Sequence, residues 1–156
     1  MSIRAASPND AAAVAAIWNR VIAETTITFT SDIKSEPEVA RLIVQDTLVW
    51  EQSGQVTGFA RVGAFRSGPG YRHTGEHTIM LAPAAQGQGA GRTLMEALCA
   101  HARAAGLRHL IAGCSGEHPT AVAFHRAVGF TKVATLPKVG FKFGRSIDLI
   151  LLQKTL

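Results

Sequence analysis

Cysteine is scarce in this sequence: two in 156 residues, Cys99 and Cys114. That rules out a disulfide framework as the source of stability, and neither has a second Cys or a His at zinc-finger spacing. Cys99 falls in a helical pattern and Cys114 in a strand, so both read as small core residues in a reducing compartment. No His/Asp/Glu set has ligand spacing, so no metal is expected. No apolar run reaches the roughly 18 residues a membrane span needs. The opening Met1-Ser2-Ile3-Arg4 lacks the apolar core of a signal peptide. A cytoplasmic protein without a membrane segment is the expectation. Blocks of like charge and low-complexity stretches are also missing. Charged residues make up 17% and apolar residues 47%, a globular rather than a disordered composition. With no internal repeat and no linker, residues 1–156 read as a single domain large enough for a real core.

The charge that is present is uneven. Up to Glu51 there are four Lys/Arg against seven Asp/Glu, a balance of −3; from Gln52 onward there are twelve against four, +8, giving the net +5. The basic part favours a polyanionic ligand. Nucleic acid is disfavoured, because the basic residues are scattered singly without an interleaved aromatic platform.

In order, Ile3 to Ala6 reads as a strand, and Ser7-Pro8-Asn9-Asp10 as a helix start with Ser as N-cap and Pro at the first position. Val14, Ile17, Trp18, Val21 and Ile22 share one helical face. Thr25 to Ser31 breaks the pattern and places Phe29 in a loop. Ser35-x-x-Glu38 opens a short helix. Leu48 to Glu51 and Gln55 to Phe65 are strands joined by a Ser53-Gly54 hairpin turn. Arg66 to Gly75 is loop-like, and Glu76 to Ala82 is a strand. A long helix ends at Gly106, His109 to Cys114 is a strand, and Pro119 starts a helix that Gly129 ends. Phe130 to Phe143 and Ser146 to Gln153 form a hairpin around Gly144-Arg145. The order strand, two helices, three strands, helix, strand, helix, two strands predicts an α/β fold with a mixed sheet and helices on both faces.

Between the strand ending at Ala82 and the long helix lies Gln86-Gly87-Gln88-Gly89-Ala90-Gly91-Arg92. Three glycines in five residues make a tight turn. Leu94, Met95, Leu98 and Ala102 then fall on one helix face. Strand, glycine turn and helix start together make an anion site, where free N–H groups and the helix dipole converge on a phosphate. The alternative is an ordinary turn. The Walker pattern fails, because Arg92-Thr93 follows Gly91 where Lys-Ser/Thr is needed. The dinucleotide fingerprint fails too, because the spacing is G-x-G-x-G.

What remains, Gln86-x-x-Gly89-x-Gly91, resembles the acyl-coenzyme-A loop of the GNAT N-acetyltransferase superfamily, and the element order resembles its layout. His125-x-x-x-Gly129-Phe130 is similar to the superfamily's Tyr-x-x-x-Gly-Phe segment, with His in place of Tyr. Ile17-Trp18-Asn19, Tyr71-Arg72-x-Thr74-x-Glu76-His77 and Val139-Gly140-x-Lys142-Phe143-Gly144-Arg145-x-x-Asp148 resemble the phosphinothricin and methionine-sulfoximine acetyltransferase subgroup. The likeness runs from about Ile3 to Gln153. Four departures stand out: His118 replaces the superfamily's Asn, Ser146 the subgroup's Trp and Gly75 its Val, and the segment between Ser35 and Val49 is short. The last two bear on the acceptor pocket.

The resemblance implies a GNAT acyl-CoA N-acyltransferase fold, acetyl-CoA as cosubstrate and a homodimer. It further implies a small-molecule amine acceptor: the α-amino group of an amino-acid analogue such as phosphinothricin, methionine sulfoximine or methionine sulfone. Main-chain N–H groups of Gln86, Gly87, Gln88, Gly89, Ala90, Gly91 and Arg92 would hold the pyrophosphate. The strand at Ile79 and Leu81 would pair with the pantetheine amides, and an N–H near Leu81 would face the acetyl oxygen. Glu76 is the expected general base, its pKa raised by partial burial; otherwise it is a surface carboxylate paired with Arg61 or Arg72. His125 is the expected donor of a proton to the leaving thiolate, or else a histidine packed against the sheet. His77, alternating to the opposite face, reads as structural. Arg66 and Arg72 would clamp the acceptor carboxylate, with Phe29 and Tyr71 walling the pocket. No nucleophile is placed for a covalent acetyl intermediate, so attack within a ternary complex is expected. The rivals are an acetyltransferase for another amine (polyamine, aminoglycoside or protein N-terminus) and a non-catalytic acyl-CoA sensor.

Overall fold

The chain opens with β1 (Ser2–Ala5). Ser7 then turns it into a helix: its backbone N–H donates to Asp10 Oδ2 at 2.8 Å, and Pro8 starts a 3-10 turn that runs on into α1 (Ala11–Glu24). Arg4 forks onto Asp10 at 2.8 and 2.9 Å and also reaches Glu51, tying that helix start to the sheet. Ser35 caps α2 (Glu36–Leu42) by accepting from the Glu38 N–H. There follow β2 (Thr47–Gln52), β3 (Gln55–Ala64), β4 (Thr74–Leu81), α3 (Ala90–Ala104), β5 (His109–Ser115), α4 (Pro119–Ala127), β6 (Thr131–Lys142) and β7 (Arg145–Thr155). These elements, in a computed structural model that describes Met1–Leu156, follow the order expected from the sequence.

The seven strands form one sheet in the order β1-β2-β3-β4-β5-β7-β6. Strand periodicity sorts its two faces. Val49, Phe59 and Met80 pack with Val14, Ile17, Trp18 and Ile22 of α1 and with Val39 of α2. Their neighbours Leu48, Trp50, Ala60 and Val62 pack on the other face with Leu94, Met95 and Leu98 of α3. All pairings are antiparallel except β4 with β5. That parallel ladder runs only from Thr74, Gly75 and Glu76 to His109, Leu110 and Ile111. Beyond it β4 keeps to β3 as far as Leu81, and β5 keeps to β7 as far as Ser115. A wedge opens between the two strands in the middle of the sheet. No helix is long and apolar enough to cross a membrane.

Two local readings shift. The last hairpin turns on Phe143-Gly144, not Gly144-Arg145: these two residues carry φ of 51° and 75°, the left-handed pair a two-residue turn needs, and Arg145 already lies in β7. Gly75 does not face the acceptor side. A Cβ there would run into Val62 Cγ1 and lie 2.9 Å from Leu107 Cδ1, on the α3 side of the sheet. Gly75→Ala should therefore overpack that layer and cost about 1–3 kcal/mol, read as a lower free energy of unfolding in denaturant. An unchanged denaturation midpoint would show that the layer has room.

Candidate active site

The wedge between β4 and β5 opens into a cleft of about 960 Å³ that passes from one face of the sheet to the other. One end is built from the glycine turn. Gly87 and Gly89 hold φ of 73° and 76°, a conformation that costs glycine little and other residues much. Gly89 is the N-cap of α3 and brings no side-chain cap, so the first amides of a 15-residue helix are left for a ligand. A Cβ on Gly91 would lie 3.4 Å from the Phe124 ring; the missing side chain lets the turn sit close against α4. Gln86, Gly87, Gly89, Gly91 and Arg92 line this end, together with Ile79 and Leu81 from the unpaired flank of β4. Gln88 and Ala90 do not line it. Gln88 Nε2 donates to Ala84 O at 2.7 Å and Gln88 Oε1 accepts from Gln52 Nε2 at 3.1 Å, which pins the turn. Ala90, 1% exposed, anchors the helix start in the core. A row of free amides beside an open strand flank fits a diphosphate with an amide-bearing arm, the chemistry of coenzyme A.

The other end is walled by Trp18 and Val21 of α1 and by Thr28, Phe29 and Lys34 of the segment after it, and it contains Glu76. Glu76 is open to the cleft, and the concave walls still half-enclose its carboxyl. That partial desolvation pushes its pKa above the ordinary carboxylate range. It forms no ion pair with Arg61 or Arg72: Arg61 Nε is buried without a partner, and Arg72 Nη1 donates to Pro69 O at 2.9 Å.

His125 and His77 form the floor. His125 Nδ1–H donates to Ala121 O at 2.7 Å, so its Nε2 is the acceptor facing His77 Nε2–H, 3.0 Å away. The Ala121 carbonyl assigns these tautomers, and His77 Nδ1 is left buried without a partner. Burial keeps both imidazoles neutral, each with its pKa pushed down. His125 thus reaches the cleft wall, but both ring nitrogens are engaged inside the protein. It holds no free proton toward the cleft, unlike the thiolate-protonating arrangement expected from the sequence. Cys114, with Sγ 3.4 Å from His125 Nδ1, is buried and its thiol is pushed up to about 11, which leaves it protonated and a poor nucleophile.

The structure does not bring Arg66, Tyr71 and Arg72 to this cleft. They line a second concavity of about 370 Å³ with Thr74, Asp46 and His101. The loop that carries them sits at the N-terminal end of β4 and folds toward α3. Nor does any residue between Ser35 and Val49 line the main cleft, so the short segment there does not contribute to its walls. His118, noted only as a departure, does line it, with Nε2 3.0 Å from Thr26 Oγ1. Lys34 was missed. The Asn19 amide clasps its main chain on both sides, donating to Lys34 O and accepting from Lys34 N–H at 2.9 Å each. The Lys34 ammonium lies 4.6 Å from the centre of the Trp18 ring. The Ile17-Trp18-Asn19 motif carried the only trace of this arrangement in the sequence.

Comparison with known proteins agrees with this geometry. The acetyltransferase (GNAT) family profile matches residues 18–130. The chain is similar to an L-methionine sulfoximine/L-methionine sulfone acetyltransferase of Salmonella typhimurium, at 36% identity over 98% of this chain and 93% of that one. It is also similar to a phosphinothricin N-acetyltransferase of Alcaligenes faecalis, at 34% identity over 99% and 82%. Among solved structures, a GNAT-superfamily phosphinothricin acetyltransferase of Sinorhizobium meliloti in complex with acetyl-CoA superposes with a TM-score of 0.93, at 31% identity over 99% of this chain and 88% of that one. An open strand flank, a glycine turn at a helix start and matches along the whole chain lead to one conclusion: the protein belongs to the acetyltransferase (GNAT) family and is an acetyl-CoA-dependent N-acetyltransferase.

Proposed function

We propose that the protein acetylates the α-amino group of a small amino-acid analogue of the methionine sulfoximine, methionine sulfone or phosphinothricin kind. The observation that carries this reading is the place of Glu76: a half-enclosed carboxylate where β4 parts from β5, between the glycine turn and the wall formed by Trp18, Phe29 and Lys34. The names of the relatives support the acceptor class.

Bound acetyl-CoA supplies an acetyl group activated as a thioester. The free amides of the turn that follows Gln86 hold its diphosphate, the Gln86 N–H itself donating to Pro83 O at 3.2 Å, and the flank of β4 at Ile79 and Leu81 aligns its arm. Glu76, with a pKa raised toward the working pH, takes the proton from the incoming ammonium, directly or through a water. The amine nitrogen then forms the C–N bond at the acetyl carbonyl carbon as the C–S bond breaks. Neither His77 nor His125 offers a free proton in this arrangement, so the second proton that the nitrogen sheds and the one that the departing thiolate takes are exchanged with solvent in the open cleft. Cys114 stays a neutral thiol, which favours direct transfer in a ternary complex. The cleft is not acidic: Arg20, Lys34 and Arg92 stand among its walls with Glu24 and Glu76. That mixture suits a zwitterionic or anionic acceptor better than a polyamine or an aminoglycoside. Lys34, held over Trp18 and shared with Glu38 at 3.7 Å, is the cation this wall offers an acceptor carboxylate. A homodimer and a cytoplasmic location complete the proposal. Val139, Phe141 and Phe143 on the outermost strand or its turn are 58%, 66% and 55% exposed, an apolar strip suited to a second copy, and two free buried thiols suit a reducing compartment.

Thiol release from acetyl-CoA should appear with amino-acid analogues and stay at background with spermidine and kanamycin. Turnover confined to the polycations would overturn the acceptor class, and no turnover with any amine would favour a sensor. Glu76→Gln should lower kcat by about 100-fold or more and abolish the acid limb of the pH–rate profile. In the parent that limb should fall at a pH above the roughly 4.3 of an ordinary glutamate. Stability should move the other way. A carboxyl whose pKa is raised on folding opposes folding when ionised; that cost declines as pH falls through its folded pKa and is gone below the unfolded one. Glu76→Gln should therefore melt at or above the parent's Tm near pH 8 and lose the advantage in acid; a lower Tm at pH 8 would mean that the carboxylate is instead a stabilising partner.

A further inference from the structure

The wall that faces Glu76 has little structure of its own. Between Glu24 and Ser35 the chain forms neither helix nor strand, and yet Phe29 is only half-buried there and Thr26 is 5% exposed. Asn19 of α1 clasps its Lys34 end; what holds the rest, around Phe29, comes from the far end of the chain. Lys142, the last residue of β6, is 2% exposed. Its ammonium donates to Ile22 O at 2.6 Å, Thr25 O at 2.6 Å and Thr28 O at 2.9 Å. Two of those carbonyls belong to the end of α1 and the residue after it, where helix carbonyls lack intrahelical partners and the dipole is negative. The third belongs to the segment itself, one residue before Phe29. All three donors of one ammonium are used, so the lysine bends the chain leaving α1 into one shape. Two residues earlier on the same face of β6, Gly140 lies directly under the Phe29 ring; a Cβ there would overlap Cε2 and Cδ2 of that ring. A third tie runs through Thr26, whose hydroxyl donates to Glu117 Oε1 at 2.8 Å, while Arg145 of β7 forks onto the same carboxylate with two bonds of 2.7 Å.

We infer that the β6–β7 hairpin is the template for the acceptor wall, and that Lys142 and Gly140 are positioning residues that set the place of Phe29 relative to Glu76 without touching either reacting molecule. The inference rests on the proposed role of that wall in acceptor binding. Its physical core is simple. A loop with no ladder of its own cannot keep an aromatic ring within the fraction of an ångström that substrate alignment demands. Here the ring's position is fixed by the absence of one side chain and the loop's path by the donors of another. The cofactor end, built on α3 and β4, shares none of these contacts.

The test uses the full-length protein with the best acceptor from the amine panel. Lys142→Met should raise the acceptor KM about 10-fold or more, keep kcat within about 3-fold, and leave acetyl-CoA affinity by calorimetry unchanged. Amide exchange should quicken across residues 25–34 and stay unaltered in α3. Should Lys142→Met fail to fold, Gly140→Ala carries the same test, because the added methyl displaces the Phe29 ring. In a Phe29→Ala background, Gly140→Ala should then add no further increase in KM. An equal KM effect with and without the ring overturns the inference, as does quickened exchange with an unchanged acceptor KM. If no amine is turned over, the acceptor reading fails on its own, and unchanged exchange at residues 25–34 would separately overturn the bracing role.

Discussion

The structure depends on a ladder that stops. β4 and β5 share three register pairs, Thr74 to Glu76 with His109 to Ile111, and then separate while each stays bonded to its outer neighbour. Main-chain polar groups inside a fold demand partners. A strand flank left without them in the interior of a sheet is a strong preference for something amide-bearing to lie there. The glycine turn stands at the end of the same strand, so one arm of an extended molecule and its charged head meet complementary surfaces in a single line. Glu76 is the last β4 residue of the ladder. Its place follows from where the two strands part, rather than from any contact of its own side chain.

The two faces of the sheet divide the labour. On the α3 side lie the tightly packed layer around Leu94, Met95 and Leu98, the glycine turn and the neutral histidine pair. On the α1 side lie Trp18, Phe29 and Lys34. The wedge runs between them, so that a cofactor held by one set of elements would meet there the acceptor that the proposal assigns to the other. The two layers share β2, β3 and β4, whose successive residues face opposite sides.

Most of the fold was legible. Pro8, Pro119, Ser7 and Ser35 mark helix starts by fixed geometry, and the stretch from Leu48 to Glu51 reads as the strand it forms. The glycine turn was legible because its chemistry is local: positive φ, a helix start and a preceding apolar strand are all written within about twenty residues. The acceptor side was not. Arg66 and Arg72 lie within ten residues of Glu76 in sequence, yet the loop that carries them folds toward α3, and nothing in their own spacing says so. Lys34 reaches the cleft through an asparagine fifteen residues away. His125 read as an acid by its position, but its engagement with His77 depends on a partner forty-eight residues distant and on which nitrogen Ala121 claims. Short-range patterns dictate elements; which side chain meets which cavity is decided by long-range packing.

The bonds from Lys142 to the end of α1 span more than a hundred residues. As the chain emerges from the ribosome, the segment after α1 has no template until almost the last strand pair has been made, whereas the β4–glycine turn–α3 unit is contiguous. A nascent or C-terminally clipped chain should thus own a formed nucleotide cradle before it owns a shaped mouth for the amine, so the order of synthesis alone separates the two competences of the enzyme in time.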